Sequence, residues 1–177
     1  MWHSILKYGV IAGLIAGGAL LTVSLIYEGQ PPPTYGMALG YTTMLIALSA
    51  IFVGIKRHRD VALGGVIRFW PAFGLGLGIS VVAGLFYVAA WELAMVVIDK
   101  DFPAIFGQMM IERAHSRGLQ GDALARAVAQ AEQFTQMYRN PLVRLPMSFA
   151  EIFPVGVLVS LVSAAVLRNP RVLPARG

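Results

Sequence analysis

Apolar residues fall in four long blocks along the chain, separated by segments where charge, proline and glycine collect. The blocks cover residues 5–26, 37–55, 70–98 and 145–167. A helix rises about 1.5 Å per residue, so roughly 20 apolar residues cross a hydrocarbon core of about 30 Å. Each block meets that requirement, and the pattern predicts four transmembrane helices. The first block opens with Trp2, His3 and Lys7. Its apolar core exceeds the roughly 7–15 residues of a secretory signal, so it reads as an uncleaved span with Lys7 snorkelling to the interface. The connection over residues 27–36 carries Pro31, Pro32 and Pro33. It predicts a stiff tight turn that makes spans one and two antiparallel neighbours.

Residues 99–144 follow a different rule. Pro103 suits a first helical turn, and Phe102, Ile105, Phe106, Met109 and Met110 recur at helical spacing until Gly118 offers a C-terminal cap. Asp122 is placed to cap a second helix whose stripe is Leu124, Ala127, Val128, Ala131, Phe134 and Tyr138, ending before Asn140 and Pro141. The expected fold is an all-α integral membrane protein, a four-transmembrane-helix bundle forming a single domain over residues 1–177. An outer amphipathic helical loop joins helices three and four. That loop is expected to cover the mouth of its own bundle; the outer leaflet and a second protein are the alternatives.

Lipid removes the hydrophobic drive between helices, so small residues four apart mark close packing. Gly9, Gly13 and Gly17, then Gly36 and Gly40, then Gly76, Ser80 and Gly84, then Gly156, Ser160 and Ala164 give each span one such stripe. Packing within the chain is the expectation. Membrane lipids, a second copy in a homodimer and another membrane protein are the partner classes.

Composition changes the picture only by excluding alternatives. The chain of 177 residues is 57% hydrophobic and 13% charged, against about 45–50% and about 25% in a soluble domain. Disorder is excluded, and without cysteine so is a disulfide scaffold. A net charge of +5 and a pI near 9.9 invite a nucleic-acid reading, but the basic residues follow topology instead. One side collects Lys7, Lys56, Arg57, Arg59, Arg68, Arg168, Arg171 and Arg176 against Asp60 alone, whereas on the other side bases and acids balance. The positive-inside rule then places both termini and residues 56–69 in the cytoplasm and residues 99–144 outside, with no nucleic-acid partner. Lys56, Arg57, Arg59 and Arg68 form a basic loop that either sets topology or meets anionic headgroups or a partner.

The residue types offer little catalytic chemistry. His3, His58 and His115 fall in three separate places and share no metal. The glycine run Gly74, Gly76 and Gly78 sits inside a span with no lysine after it, which rules out a phosphate loop. Ser80, Ser160 and Ser163 lack a histidine or acid at their level. Neither a cofactor nor an enzymatic activity is expected. What remains is a pair of carboxylates, Glu92 and Glu151, at matching depth near the outer ends of spans three and four. Tyr41, Tyr87 and Trp91 reach that level, and Arg144 stands two helical turns before Glu151. A carboxylate deep in lipid is costly and therefore functional, suited to a proton or a cation. At the interface it is an ordinary neighbour of the aromatic belt. Both readings stand, and the sharper one has the two acids facing inward to share a proton, a cation, a water or Arg144.

An ordered series of short motifs accompanies these residues. Tyr35-Gly36-Met37, Gly40-Tyr41-Thr42-Thr43-Met44, Phe52-Val53-Gly54-Ile55-Lys56, Arg59-Asp60, Gly64-Gly65, Tyr87, Trp91-Glu92, Phe102 and Glu151-Ile152-Phe153-Pro154-Val155-Gly156 occur in that sequence. Over nearly the whole chain they resemble the bacterial membrane family known as domain of unknown function 4199. The resemblance implies a four-span bacterial inner-membrane protein and no particular activity, and it sets Glu92, Glu151, Lys56, Arg59 and Asp60 inside the recurring motifs. The function expected is that of an accessory or interaction module. The alternative is a small transporter or an ion or proton carrier using Glu92 and Glu151.

Overall fold

The computed structural model describes residues 1–27, 36–98 and 101–174. The proline turn at 31–33, Asp99, Lys100 and Arg176 lie outside the described residues. Six helices follow in order: α1 (Trp2–Ile26), α2 (Gly36–Ala62), α3 (Phe69–Ile98), α4 (Phe102–Ser116), α5 (Gly121–Arg139) and α6 (Pro141–Leu167). Four of them, α1, α2, α3 and α6, are long and apolar enough to cross a membrane. The protein is an all-helical membrane bundle.

Two helix ends depart from the expected boundaries, each for a local reason. α2 runs past residue 55 to Ala62, so Lys56, Arg57 and Arg59 stand on helix and not in a loop. No breaker intervenes there, and the pair Lys56–Asp60, one turn apart at 2.5 Å, supports the extension. The chain turns only at Gly64 and Gly65, both with positive φ. α6 begins at Pro141 because the Asn140 side chain accepts from the amide of Leu142 at 3.0 Å, and proline fits the first turn. Pro146 and Pro154 are carried inside the helix.

In the loop, α4 is capped by Asp101, whose carboxylate accepts from the amide of Ala104. It ends at Gly118, where φ is +75° and the amide of Leu119 reaches the carbonyl of Ala114. Asp122 was expected to cap α5. Gln120 holds the cap position instead, and Asp122 sits in the first turn, where its charge favours the helix dipole.

Around the bundle the neighbours run α1, α2, α6, α3, with α1 against α3 as the broadest interface. These two helices run in the same direction. A Cβ on Gly9, Gly13 or Gly17 would strike Val82, Phe86 or Ala90 respectively, so each turn of α1 meets the next turn of α3. α3 and α6 pair in opposite directions through a reciprocal fit, Gly76 facing Ser160 and Ser80 facing Gly156. The core is otherwise aliphatic, with Leu48, Ile51, Ile55, Leu75, Ile79 and Leu167 fully buried. Large residues such as Leu14, Ile46, Leu85, Leu158 and Val162 point outward. This arrangement, with small residues inside and large ones outside, is what a bundle solvated by hydrocarbon requires. Three small stripes are therefore internal contacts, while Gly40 on α2 meets nothing within 4 Å.

Candidate functional site

Met1, residues 63–68 and residues 168–174 gather at one end of the bundle, and the α4–α5 hairpin closes the other. The hairpin end holds the polar cluster. α3 delivers Tyr87, Trp91 and Glu92 from its last turns, and α6 delivers Arg144, Ser148 and Glu151 at spacings of four and three, along one side of the helix. The turn at Asn140 brings Tyr138 of α5 between them.

The cluster has two layers. In the upper one, Arg144 grips Glu92 as a fork: Nε donates to Oε1 at 2.7 Å and Nη2 donates to Oε2. A bidentate guanidinium–carboxylate pair in a half-buried place is among the stronger polar contacts available. Arg144 also donates to the carbonyl of Tyr138 at 3.5 Å. The Trp91 indole donates to the Tyr138 hydroxyl at 2.8 Å. Above this pair lies an aromatic roof in which Phe102 meets Trp91 edge-on at 4.8 Å and Phe134 stacks on Tyr138 at 5.2 Å. Phe106 and Phe134 join α4 to α5 at 5.0 Å. Burial holds the Tyr138 phenol above its ordinary range, and the nearby Glu151 charge pushes the same way, so it stays protonated at neutral pH.

In the lower layer the Tyr87 hydroxyl, itself buried, donates to Glu151 Oε2 at 3.2 Å. Ser148 is 2% exposed, and among the described residues its hydroxyl has no hydrogen-bond partner. Counting back about 20 residues from Leu167 puts Ser148 near the hydrocarbon boundary, with Glu151 just inside it.

Glu92 and Glu151, expected to share a proton, a cation, a water or Arg144, hydrogen-bond to different side chains, and Arg144 is not shared between them. Each has its own partner, and among the described residues no hydrogen bond joins the two layers through the acids. Arg144 belongs to Glu92 and not to Glu151. Tyr41 is 54% exposed and hydrogen-bonds to neither acid. Tyr138 and Ser148 were missed as site residues. Ser148 was signalled by its spacing between Arg144 and Glu151; Tyr138 carried no signal beyond its helical stripe.

The basic residues at the opposite end also divide. Arg57 and Arg68 face outward and Lys56 is paired to Asp60. Arg59, expected among the exposed headgroup contacts, is 0% exposed. Its Nε meets Asp60 at 2.7 Å, and its Nη atoms donate to the carbonyls of Val172 at 3.0 Å and Leu173 at 2.5 Å. Helix α2, not a loop, points it inward, where unpaired carbonyls past the end of α6 accept its donors.

A family model described as a protein of unknown function (DUF4199) matches residues 7–169. The chain belongs to this family. No curated protein and no solved structure matches it. The match takes in all of the hairpin, so the Glu92–Arg144 fork and the Glu151–Tyr87 pair lie within the family segment of this DUF4199 protein, as does Arg59, whereas the carbonyls of Val172 and Leu173 that Arg59 meets lie just beyond it.

Proposed function

We propose that this protein is a non-enzymatic membrane module of the bacterial inner membrane that works by contact, with both termini cytoplasmic and the α4–α5 hairpin displayed outside. Its partners are membrane lipids and another membrane protein or a second copy, not nucleic acid. The observation that carries this reading is a bundle filled along its axis. A Cβ on Gly84 would strike the ring of Phe149, the Ser80–Gly156 and Gly76–Ser160 contacts close the next level, and Ile51, Leu75 and Ile79 fill the one after that. Among the described residues, close packing at these levels leaves a solute little room to pass along the axis. The hairpin, by contrast, is pinned to the bundle by Trp91, Tyr138 and Arg144 and keeps an open polar face. A shallow groove of about 280 Å³ runs between α4 and α5, lined by Gln108, Glu132, Thr135, Gln136 and Arg139 among others.

A carrier using both acids loses Glu92, whose two oxygens are taken by Arg144. The test sets the two readings against each other. Purified protein in vesicles should leave an imposed proton or potassium gradient as stable as in protein-free vesicles. A photocrosslinking residue at Gln133, on the exposed side of α5, should yield a discrete adduct in cells, while one at Leu158, facing lipid, should not. Gradient collapse that depends on Glu151 would refute the module and establish the carrier.

A further inference from the structure

We propose that Arg68 and Arg168, at the end of the bundle opposite the hairpin, form a binding site for the phosphate of an anionic phospholipid whose acyl chains lie along the outside of the α3–α6 pair. The inference deepens the lipid-contact part of the module reading and rests on it only in taking α3 and α6 to span a membrane.

The argument begins with register. A Cβ on Gly76 would strike Ser160 and one on Gly156 would strike Ser80, so each step toward the start of α3 is matched by a step toward the end of α6. The same register sets Ala72 against Ala164, both fully buried, and one helical turn further it sets Arg68 against Arg168. The carbonyl of Arg68 accepts from the amide of Ala72 at 3.1 Å, and the amide of Arg168 donates to the carbonyl of Ala164 at 3.1 Å. Both arginines therefore belong to the terminal turns of packed helices, whose axes lie roughly 8–10 Å apart. Both are exposed.

A second observation is that Arg168 is held in place. Arg59 donates to the carbonyl of Leu167 just before it, at 3.4 Å, and to that of Val172 beyond it, at 3.0 Å. The backbone on either side of Arg168 is thus tied to α2. Topology asks only that cations collect on one side of the membrane. It does not ask that two of them be fastened opposite one another on neighbouring helices.

The charge balance points to an anion. Like charges so placed repel. Asp60 is the acidic side chain at this end among the described residues, and its two oxygens are taken by Lys56 and Arg59. The other described acids stand on the hairpin or at the hairpin end of the bundle.

The flanking residues select a lipid as the source. Trp70 is 75% exposed and lies two residues from Arg68, edge-on to Phe69 at 5.3 Å and to Phe73 at 6.3 Å. Exposed tryptophan beside arginine marks the headgroup level of a bilayer. Farther from this end the outward residues of α6 are Leu161, Val162 and Val166, a surface suited to acyl chains. Guanidinium forks match the paired oxygens of a phosphodiester. Choline and ethanolamine headgroups carry their own ammonium next to the phosphate, so the site favours a headgroup with net negative charge.

The experiment uses the full chain, purified in detergent and examined by native mass spectrometry with equal amounts of phosphatidylglycerol and phosphatidylcholine of matched acyl chains. An arginine near an anionic headgroup is worth about fivefold in affinity, so two should retain phosphatidylglycerol at least about tenfold over phosphatidylcholine. Arg68→Gln and Arg168→Gln should each cut the preference by about fivefold, and the double variant should erase it. Arg57→Gln, on the outward face of α2, removes the same charge and should leave the preference unchanged. The two site variants lie on different helices, so if one fails to fold the other decides. Equal retention of the two lipids overturns the proposal, and so does an equal loss in Arg57→Gln, which would show that the preference follows net charge alone. Neither outcome bears on the gradient and crosslinking tests of the module. A parallel arm adds inorganic phosphate without lipid. Arg168-dependent thermal stabilisation by phosphate, with no lipid preference, overturns the lipid source and assigns the anion to solution.

Discussion

The guanidinium of Arg59 donates to the carbonyl oxygen of Val172 across 3.0 Å, joining α2 to the segment that follows α6. The side chain is completely buried, yet its donors are engaged: Asp60 balances its charge, and the carbonyls of Val172 and Leu173 accept from its two arms. It works as a distant cap on the carboxyl end of α6. Such an end carries unpaired carbonyls and partial negative charge that a cation relieves.

Removing this anchor should therefore be costly. Arg59→Ala takes the donors from the carbonyls of Leu167, Val172 and Leu173, of which the Leu167 contact is buried, and a buried carbonyl left without a donor costs roughly 1–3 kcal/mol. The thermal midpoint of the detergent-solubilised protein should fall by several degrees and residues 168–174 should become protease-sensitive. Arg57→Ala, on the exposed side of the same turn, should change neither.

The fork between Arg144 and Glu92 should behave as a unit. Glu92→Gln and Arg144→Gln should each loosen the hairpin, seen as faster hydrogen exchange in α5. The double variant should fall short of the sum by about 1–2 kcal/mol, as interacting pairs do. Strict additivity would show that the two side chains act separately.

The parallel contact of α1 with α3 depends on Gly13, where a Cβ would lie 2.5 Å from that of Phe86. Gly13→Leu should destabilise the bundle by at least the roughly 1–3 kcal/mol typical of overpacking, measured as loss of the monodisperse folded peak at elevated temperature. Gly18→Ala, where a Cβ meets nothing within 4 Å, should be neutral or gain up to about 1 kcal/mol from helix propensity.

The Tyr138 phenol holds its proton more tightly in the folded chain than in the unfolded one, chiefly because it is buried. A folded-state value raised above the unfolded one contributes stability that is fully present below about pH 10 and is lost as pH rises toward the folded value. Stability should thus be insensitive to this group from pH 7 to 9 and decline above about pH 10. Tyr138→Phe should shed that part of the alkaline decline, which parallel denaturation series would reveal.

The chain has no cysteine, so single labels report topology cleanly. Ala62→Cys and Gln120→Cys are both exposed, at opposite ends of the bundle. An impermeant thiol reagent should label only Gln120→Cys in intact cells. Labelling at Ala62→Cys would invert the orientation proposed above.

The number of spans, the helical hairpin and the gathering of Met1 with residues 63–68 and 168–174 were legible in the sequence. Each depends on a local property: the length of an apolar run against the thickness of lipid, the period of a stripe, or a turn at Gly118 or Asn140. The glycine and serine stripes also announced close packing, because without a hydrophobic drive only small residues let backbones approach. Partners were another matter. Arg59 and Val172 lie 113 residues apart, and Glu92 and Arg144 lie 52 apart. Which acid takes the arginine depends on how α3 and α6 are rotated about their axes, set by Gly76 against Ser160 and Ser80 against Gly156. Similarly, α1 could be read as a neighbour of α2 from the short connection, but its broadest partner proved to be α3. By itself the sequence determined which segments leave water for lipid, since transfer energy is a sum over neighbouring residues. Only the tertiary structure decided that Glu92 is paired with Arg144 while Glu151 is met by the Tyr87 hydroxyl and that Arg59 faces inward, because electrostatic pairing depends on distances across helices that no periodicity along one helix encodes.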